Sequence, residues 1–306
     1  MSARTVHVLD TAEIAEIELY ILRRMRALTS GDHASSAMGS GFDLLGLRDW
    51  EPGDAISAID WAQSSLTNFN PLVTRQFQQD SNAVILALAD ASLSTRCGAR
   101  GVLIMSAITR ALAAVGLAAA FFQDRFGLIA FDESLQVRSA AWPRIGRSHV
   151  LHCLDLYANS FRAPREGGGS AGAIAAAGGY LRDASMIVMI SDFLWVDAEG
   201  VIDELARIGS VHDVLLMMVD ARFAFELPAT AAGWLEVCDV ETGAVRLISR
   251  RELAQLPARI EAWQRRIITL AGEAGLDIVR TGLDRWEIEN SLLDLVTQRR
   301  LRKVSH

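Results

Sequence analysis

Four uninterrupted apolar runs, Val84–Ala89, Phe126–Phe131, Met186–Ile190 and Val214–Val219, are each closed by an aspartate. The closing residues are Asp90, Asp132, Asp192 (after Ser191) and Asp220. A strand with one wet face alternates apolar and polar residues, whereas a run without alternation belongs to a strand buried on both faces. Helical stretches separate these runs, at Ala99–Phe122, Arg147–Ser160, Ala171–Arg182 and Ala198–Ile208. Strands alternating with helices predict an α/β fold: a doubly wound, mostly parallel sheet with helices on both faces. Ligands of such sheets bind beyond the carboxyl ends of the strands. The aspartates stand there.

The remaining chain divides around this pattern. Residues 1–80 read as an N-terminal helix with an accessory extended region, and 81–306 as the α/β domain. The first helix, Asp10–Ser30, carries Ile14, Ile17, Ile21, Met25 and Leu28 at helical spacing and opens on a capping box of Asp10 and Glu13. A Gly- and Ser-rich loop follows to Gly41, and turn signals recur through residue 80. After Asp132, Leu135–Ser139 reads as a hairpin partner of the second strand. Toward the C-terminus come a hairpin (Trp234–Ile248), a helix (Arg251–Gly272) and a strand at Leu276–Val279. That helix has a core stripe of Leu256, Ile260, Trp263 and Ile267, and a last helix is expected at Trp286–Leu301.

Composition removes several functions. The net charge of −7 implies no broad basic surface for nucleic acid. Lys303 is the only lysine, which excludes Schiff-base chemistry and the P-loop lysine. Cys97, Cys153 and Cys238 are too scattered for a disulfide framework and fit a reducing, cytoplasmic setting. Cys97 reads as a small buried side chain rather than a reactive thiol. Residues 1–10 show no secretion signal, and Ala111–Phe122 is shorter than the ~20 residues a membrane span needs.

Asp90-Ala-Ser92-Leu-Ser94 follows the first strand directly. Alternate residues of such a loop point the same way, so one carboxylate and two hydroxyls converge. All three offer oxygen, the ligand that a hard cation such as Mg²⁺ prefers. A cation held largely by neutral hydroxyls keeps an open position for an outside carboxylate. The competing reading makes Ser92 and Ser94 caps of the following helix, with Asp90 near its positive end.

Further residues extend the pattern. Arg48-Asp-Trp-Glu-Pro-Gly-Asp54, then Ile59-Asp60-Trp61, then Arg75 and the strand into Asp90 resemble, in order and spacing, the "domain of unknown function 58" family. The similarity runs from about Gly39 to Asp192. It implies a von Willebrand factor A-like fold whose D-x-S-x-S loop is a metal-ion-dependent adhesion site. By that resemblance Asp90, Ser92 and Ser94 hold Mg²⁺, Asp192 completes the site and Ser170 stands in for the family's threonine. It also implies a non-enzymatic adaptor whose partner is a MoxR-type AAA+ ATPase, with some members serving methanol dehydrogenase maturation. Ser57 and Trp50 depart from the family's usual arginine and tyrosine. Asp54, Asp60, Arg48 and Arg75 read as ion pairs holding the accessory region.

The rivals are weaker. An apo interaction module needs no metal. Gly168-Gly-Ser170-Ala-Gly172, with His212 downstream, matches a hydrolase G-x-S-x-G, but the preceding Phe161–Glu166 is a proline-containing loop instead of the required strand. A phosphoryl-transfer aspartate at Asp90 lacks its second carboxylate, since Ser92 holds that position. His149 and His152 share a helix face but have no third zinc ligand beside them in the sequence.

Overall fold

The computed structural model describes residues 9–29, 43–49, 64–65, 71–78, 83–99, 102–161, 172–181, 184–195, 197–225, 234–238 and 244–281. In chain order its elements begin with α1 (Thr11–Thr29), β1 (Asp43–Asp49), β2 (Val73–Gln78), β3 (Val84–Asp90), β4 (Gly98–Ala99) and β5 (Val102–Leu103). Then come α2 (Ile104–Phe121), β6 (Arg125–Phe131), β7 (Val137–Arg144), α3 (Arg147–Ser160), α4 (Ala173–Tyr180), β8 (Met186–Ser191) and α5 (Ala198–Ile208). The last are β9 (Asp213–Val219), β10 (Trp234–Cys238), β11 (Val245–Ser249), α6 (Arg250–Glu273) and β12 (Asp277–Thr281).

The chain forms two compact units, one of residues 1–24 with 83–306 and one of 25–82. The first turns of α1 thus belong with the sheet-bearing unit, where the sequence had placed them with the accessory region. In the smaller unit β1 and β2 pair antiparallel, with Arg48 opposite Thr74 and Leu47 opposite Arg75. Ser64 Oγ accepts the Val73 N–H at 2.8 Å. Asp54 and Asp60, expected as ion-pair partners there, lie outside the described residues.

The larger unit is built on a six-stranded sheet of order β12-β9-β8-β3-β6-β7. Every neighbouring pair is parallel except β6–β7. The chain leaves β3 outward through β6 and β7, then resumes on the other side through β8, β9 and β12, so the order reverses between β3 and β8. Strand geometry sends successive side chains to opposite faces. Leu86, Leu88, Ile129, Phe131, Ile187, Met189, Leu216 and Met218 form one buried face, packed with residues of α4, α5 and α6. The alternate residues, among them Ala87, Ala89, Leu128, Ala130, Val188, Ile190, Leu215 and Met217, are equally buried on the other. Both faces are covered, which is why the runs lack alternation.

Helix α2 lies against that second face. It spans 18 residues, longer than the apolar stretch read from sequence, and is long and apolar enough to cross a bilayer. Yet 78% of it is buried inside the protein. Its Ala and Gly residues permit close approach: a Cβ on Gly116 would stand 2.7 Å from Val150 Cγ1 of α3 and 3.1 Å from the Phe126 ring. Arg110, the charge inside α2, reaches Glu13 of α1 at 2.8 Å. The capping box that starts α1 is present, Glu13 N–H donating to Asp10 Oδ1 at 2.7 Å and Asp10 N–H to Glu13 Oε2 at 3.0 Å.

Some boundaries, and the core stripe of α6, differ from the sequence reading. The long helix starts at Ile104 instead of Ala99, because the β4–β5 ladder intervenes. Gly98 permits that ladder, since a Cβ there would sit 2.0 Å from the Val102 carbonyl oxygen. Strand β7 runs on to Arg144 through Pro143, which an edge strand tolerates because its outer N–H has no ladder partner to lose. On α6 the buried residues are Leu253, Ile260, Gln264, Ile267 and Ala271. Leu256 and Trp263, expected in the core stripe, are only half-buried. The expected helix at 286–301 lies outside the described residues.

Candidate functional site at the carboxyl ends of two central strands

Strands β3 and β8 are neighbours, in register Ala89 opposite Ile190, so their ends deliver Asp90 and the Ser191–Asp192 pair side by side. All three are fully buried. Asp90 is the hub. Its Oδ1 accepts the Ser92 N–H at 2.9 Å, and its Oδ2 accepts the Ser191 hydroxyl at 2.6 Å and the Trp195 indole N–H at 2.8 Å. Its backbone carbonyl accepts the Tyr157 hydroxyl at 2.5 Å. Burial first, and then the negative charges of Asp90 and Asp192, push the Tyr157 phenol well above its usual pKa. Tyr157 therefore serves as a neutral donor.

Beyond Asp90 the chain makes a short 3₁₀ turn, Leu93–Arg96. Ser92 stands at its N-cap position, but its side chain makes no capping hydrogen bond. The capping reading of Ser92 is thereby corrected: its hydroxyl meets that of Ser94, Oγ to Oγ, at 3.0 Å. Thr95 fixes the turn, its hydroxyl donating to the Ser92 carbonyl at 2.7 Å. The structure therefore gathers Ser92 and Ser94 beside the buried Asp90.

Across the strand gap, Asp192 Oδ1 accepts the Leu194 N–H at 3.0 Å, and its carbonyl accepts Gln264 Nε2 at 3.1 Å. Gln264, fully buried in α6, also donates to the Val219 carbonyl at 2.9 Å, which ties the ends of β8 and β9 together. Phe193 adopts φ 56°, a left-handed conformation uncommon for an aromatic residue. It is held there from both sides, its N–H donating to Ser191 Oγ at 2.9 Å and its carbonyl accepting Trp263 Nε1 at 2.7 Å.

Among the described residues, the other sequence candidates fall elsewhere. Ser170 lies outside the described residues. The described chain before that segment is helix α3 and Phe161, not the strand that a nucleophile elbow requires. Asp132 closes the β6–β7 turn, its Oδ1 accepting the Ser134 and Gln136 N–H groups. Asp220 is bound up with Arg222 at 2.5 Å and Arg280 at 3.3 Å. His149 points its Nε2 to Cys153 Sγ at 3.5 Å, and among the described residues no three His, Cys, Asp or Glu side chains gather as a metal cluster. Cys97 is partly exposed where a buried side chain was expected, while Cys153 is buried and its thiol pushed up to about 12.

Sequence reasoning missed Tyr157, Trp195, Trp263 and Gln264. Tyr157 and Trp195 reach Asp90, Gln264 reaches Asp192 and Trp263 reaches Phe193, each from 67 to 105 residues away, and no local pattern marks them. A hydroxyl immediately before Asp192 was the one available signal for Ser191.

An uncharacterized protein of Mycobacterium bovis is 29% identical over 246 residues, covering 78% of this chain and 73% of its own length. An uncharacterized protein of Mycobacterium tuberculosis matches to the same extent. Among solved structures, the conserved hypothetical protein BatB of Bacteroides thetaiotaomicron aligns over 73% of this chain and 98% of its own at 15% identity and a TM-score of 0.40. An aerotolerance-related membrane protein of Bacteroides fragilis aligns over 71% and 97% at 15% identity and a TM-score of 0.43. The family described as "Protein of unknown function DUF58" matches residues 46–266, most of the chain and all of the Asp90 and Asp192 loops, and the chain belongs to that family.

Proposed function

We propose that this chain is a non-enzymatic, Mg²⁺-dependent protein-binding module of the von Willebrand factor A type, acting as an adaptor for a MoxR-type AAA+ ATPase. The observation that carries the reading is the pair of hydroxyls, Ser92 Oγ and Ser94 Oγ, 3.0 Å apart beside the buried carboxylate of Asp90. Six oxygens around Mg²⁺ at about 2.0–2.1 Å leave adjacent ligands about 2.9 Å apart, so the two hydroxyls are spaced as neighbouring ligands. The donor set is hard, all oxygen, and suited to that cation. A bound Mg²⁺ would supply a charge with an exchangeable position, to which a carboxylate of the partner binds. The protein's own contribution is to fix the oxygens: Thr95 sets the turn, and Ser191 and Trp195 fix the Asp90 carboxylate. Strand order supports the fold assignment, since three strands lie on each side of the reversal and the antiparallel one is at the edge.

Calorimetric titration with millimolar Mg²⁺ or Mn²⁺ tests the reading. Wild type is expected to bind, and Asp90→Ala and the double variant Ser92→Ala/Ser94→Ala are not. Pull-down with the ATPase is expected to be abolished by EDTA. The alternative reading, an apo module, is favoured by the internal partners of Asp90, whose two oxygens already accept three hydrogen bonds from the protein itself. Absence of cation binding by the wild type leaves that alternative in place.

A further inference from the structure

A groove of about 640 Å³ runs between the Leu194–Trp195 loop and one face of α6. Buried Trp195 and Ile260 and half-buried Leu194 and Trp263 line it, and the exposed Arg259 and Arg266 stand at its edge. The tryptophan N–H groups are turned inward, to Asp90 Oδ2 and the Phe193 carbonyl. What remains for the groove is ring surface. On a helix, residues seven apart lie on one side, about 10 Å along the axis. Arg259 and Arg266 therefore bracket Ile260 and Trp263 with two cations at a fixed spacing. Arg266 already pairs with Glu199 at 2.7 Å, but its side chain is 61% exposed, and a guanidinium has five N–H donors to share.

We propose that this groove is the docking site for an amphipathic helix of a partner protein carrying two acidic residues one heptad apart. Such a helix places carboxylates at i and i+7 on the same side as apolar residues at i+3 and i+4. Its carboxylates then meet Arg259 and Arg266 while the apolar residues lie over Ile260 and the tryptophan rings. An extended segment does not fit the pattern: a ~10 Å spacing corresponds there to three residues, whose side chains point to opposite faces. Arginine, planar and weakly hydrated, suits carboxylates at the edge of an apolar surface.

The test uses a labelled helical peptide of about 15 residues with Glu at i and i+7 and Leu and Phe at i+3 and i+4, and a twin with Lys in place of Glu. Binding to the full chain is followed by fluorescence anisotropy in EDTA, then repeated with Mg²⁺. The Glu peptide is expected to bind wild type at least about tenfold tighter than its Lys twin. In R259E/R266E that preference is expected to reverse, which a merely disrupted protein would not show. Trp263→Leu is expected to weaken both peptides. Equal binding of the twins, no binding by either up to about 1 mM, or a preference unchanged by charge reversal overturns the proposal. Because the selectivity is read in EDTA, it stands or falls separately from cation binding at Asp90.

Discussion

Asp90 is a buried hub of polar contacts, and single-atom changes around it have calculable outcomes. Three donors converge on its carboxylate, and two of them, the Ser92 and Trp195 N–H groups, cannot act as acceptors. Asp90→Asn therefore forces an amide NH₂ against a fixed N–H whichever way it turns. A buried polar clash of this kind costs about 1–3 kcal/mol, to be seen as a lowered midpoint in urea unfolding. Tyr157→Phe removes only the donor to the Asp90 carbonyl and is expected to cost about 1 kcal/mol in the same assay. The cysteines offer a check on burial. Ellman's reagent is expected to modify exposed Cys238 first, partly exposed Cys97 more slowly, and Cys153 only on unfolding.

Among the elements, α6 and β12 are joined by an ion-pair network centred on Glu261. Glu261 receives Arg280 at 2.7 Å, Arg222 and Arg265 at 2.8 Å each, and its carboxyl is held down to about 2, chiefly by the Arg280 and Arg265 hydrogen bonds. In the unfolded chain the same carboxyl takes its proton near 4.5. The folded form thus holds the lower value. Its contribution is complete above pH 4.5 and is lost as pH falls toward 2. Glu261→Gln is expected to flatten the acid limb of the stability–pH curve across that window. On the other sheet face, Gly116→Val pushes a side chain into Val150 and Phe126 and is expected to cost about 1–3 kcal/mol in thermal or urea unfolding. The sequence disclosed the buried strands because a doubly covered strand has no polar interruptions. It misplaced the start of α2 by running the apolar helix back to Ala99, although Gly98 pairs with Leu103 and Ala99 with Val102 in a local ladder, and glycine at 98 is a poor helix former. Trp263 and Leu256 misled for a related reason: helical spacing identifies one apolar stripe, while α6 presents apolar residues both to the sheet and to the groove.

At the scale of the molecule, a doubly wound sheet was legible in four aspartate-closed runs, and the family resemblance had paired Asp90 with Asp192, but the strand order that sets those two side by side was not legible. Only pairing separates Asp90 and Asp192 from Asp132, which turns a hairpin, and from Asp220, which is consumed by arginines. The sheet's centre should also be its most persistent part. Amide hydrogen exchange is expected to be slowest in Leu86–Ala89 and Ile187–Ile190, and fastest among the strands in the exposed β10–β11 hairpin, where Trp234, Val245 and Leu247 face solvent. The left-handed Phe193 bears on recognition at this same scale. A backbone conformation that unfavourable persists only because bonds on either side over-determine it. The rim of the sheet beside Asp90 is therefore a rigid mould. Under the proposed adaptor role, a partner would have to arrive already shaped for it, so selectivity would rest on the visitor's geometry and little of the binding energy would go into rearranging the host.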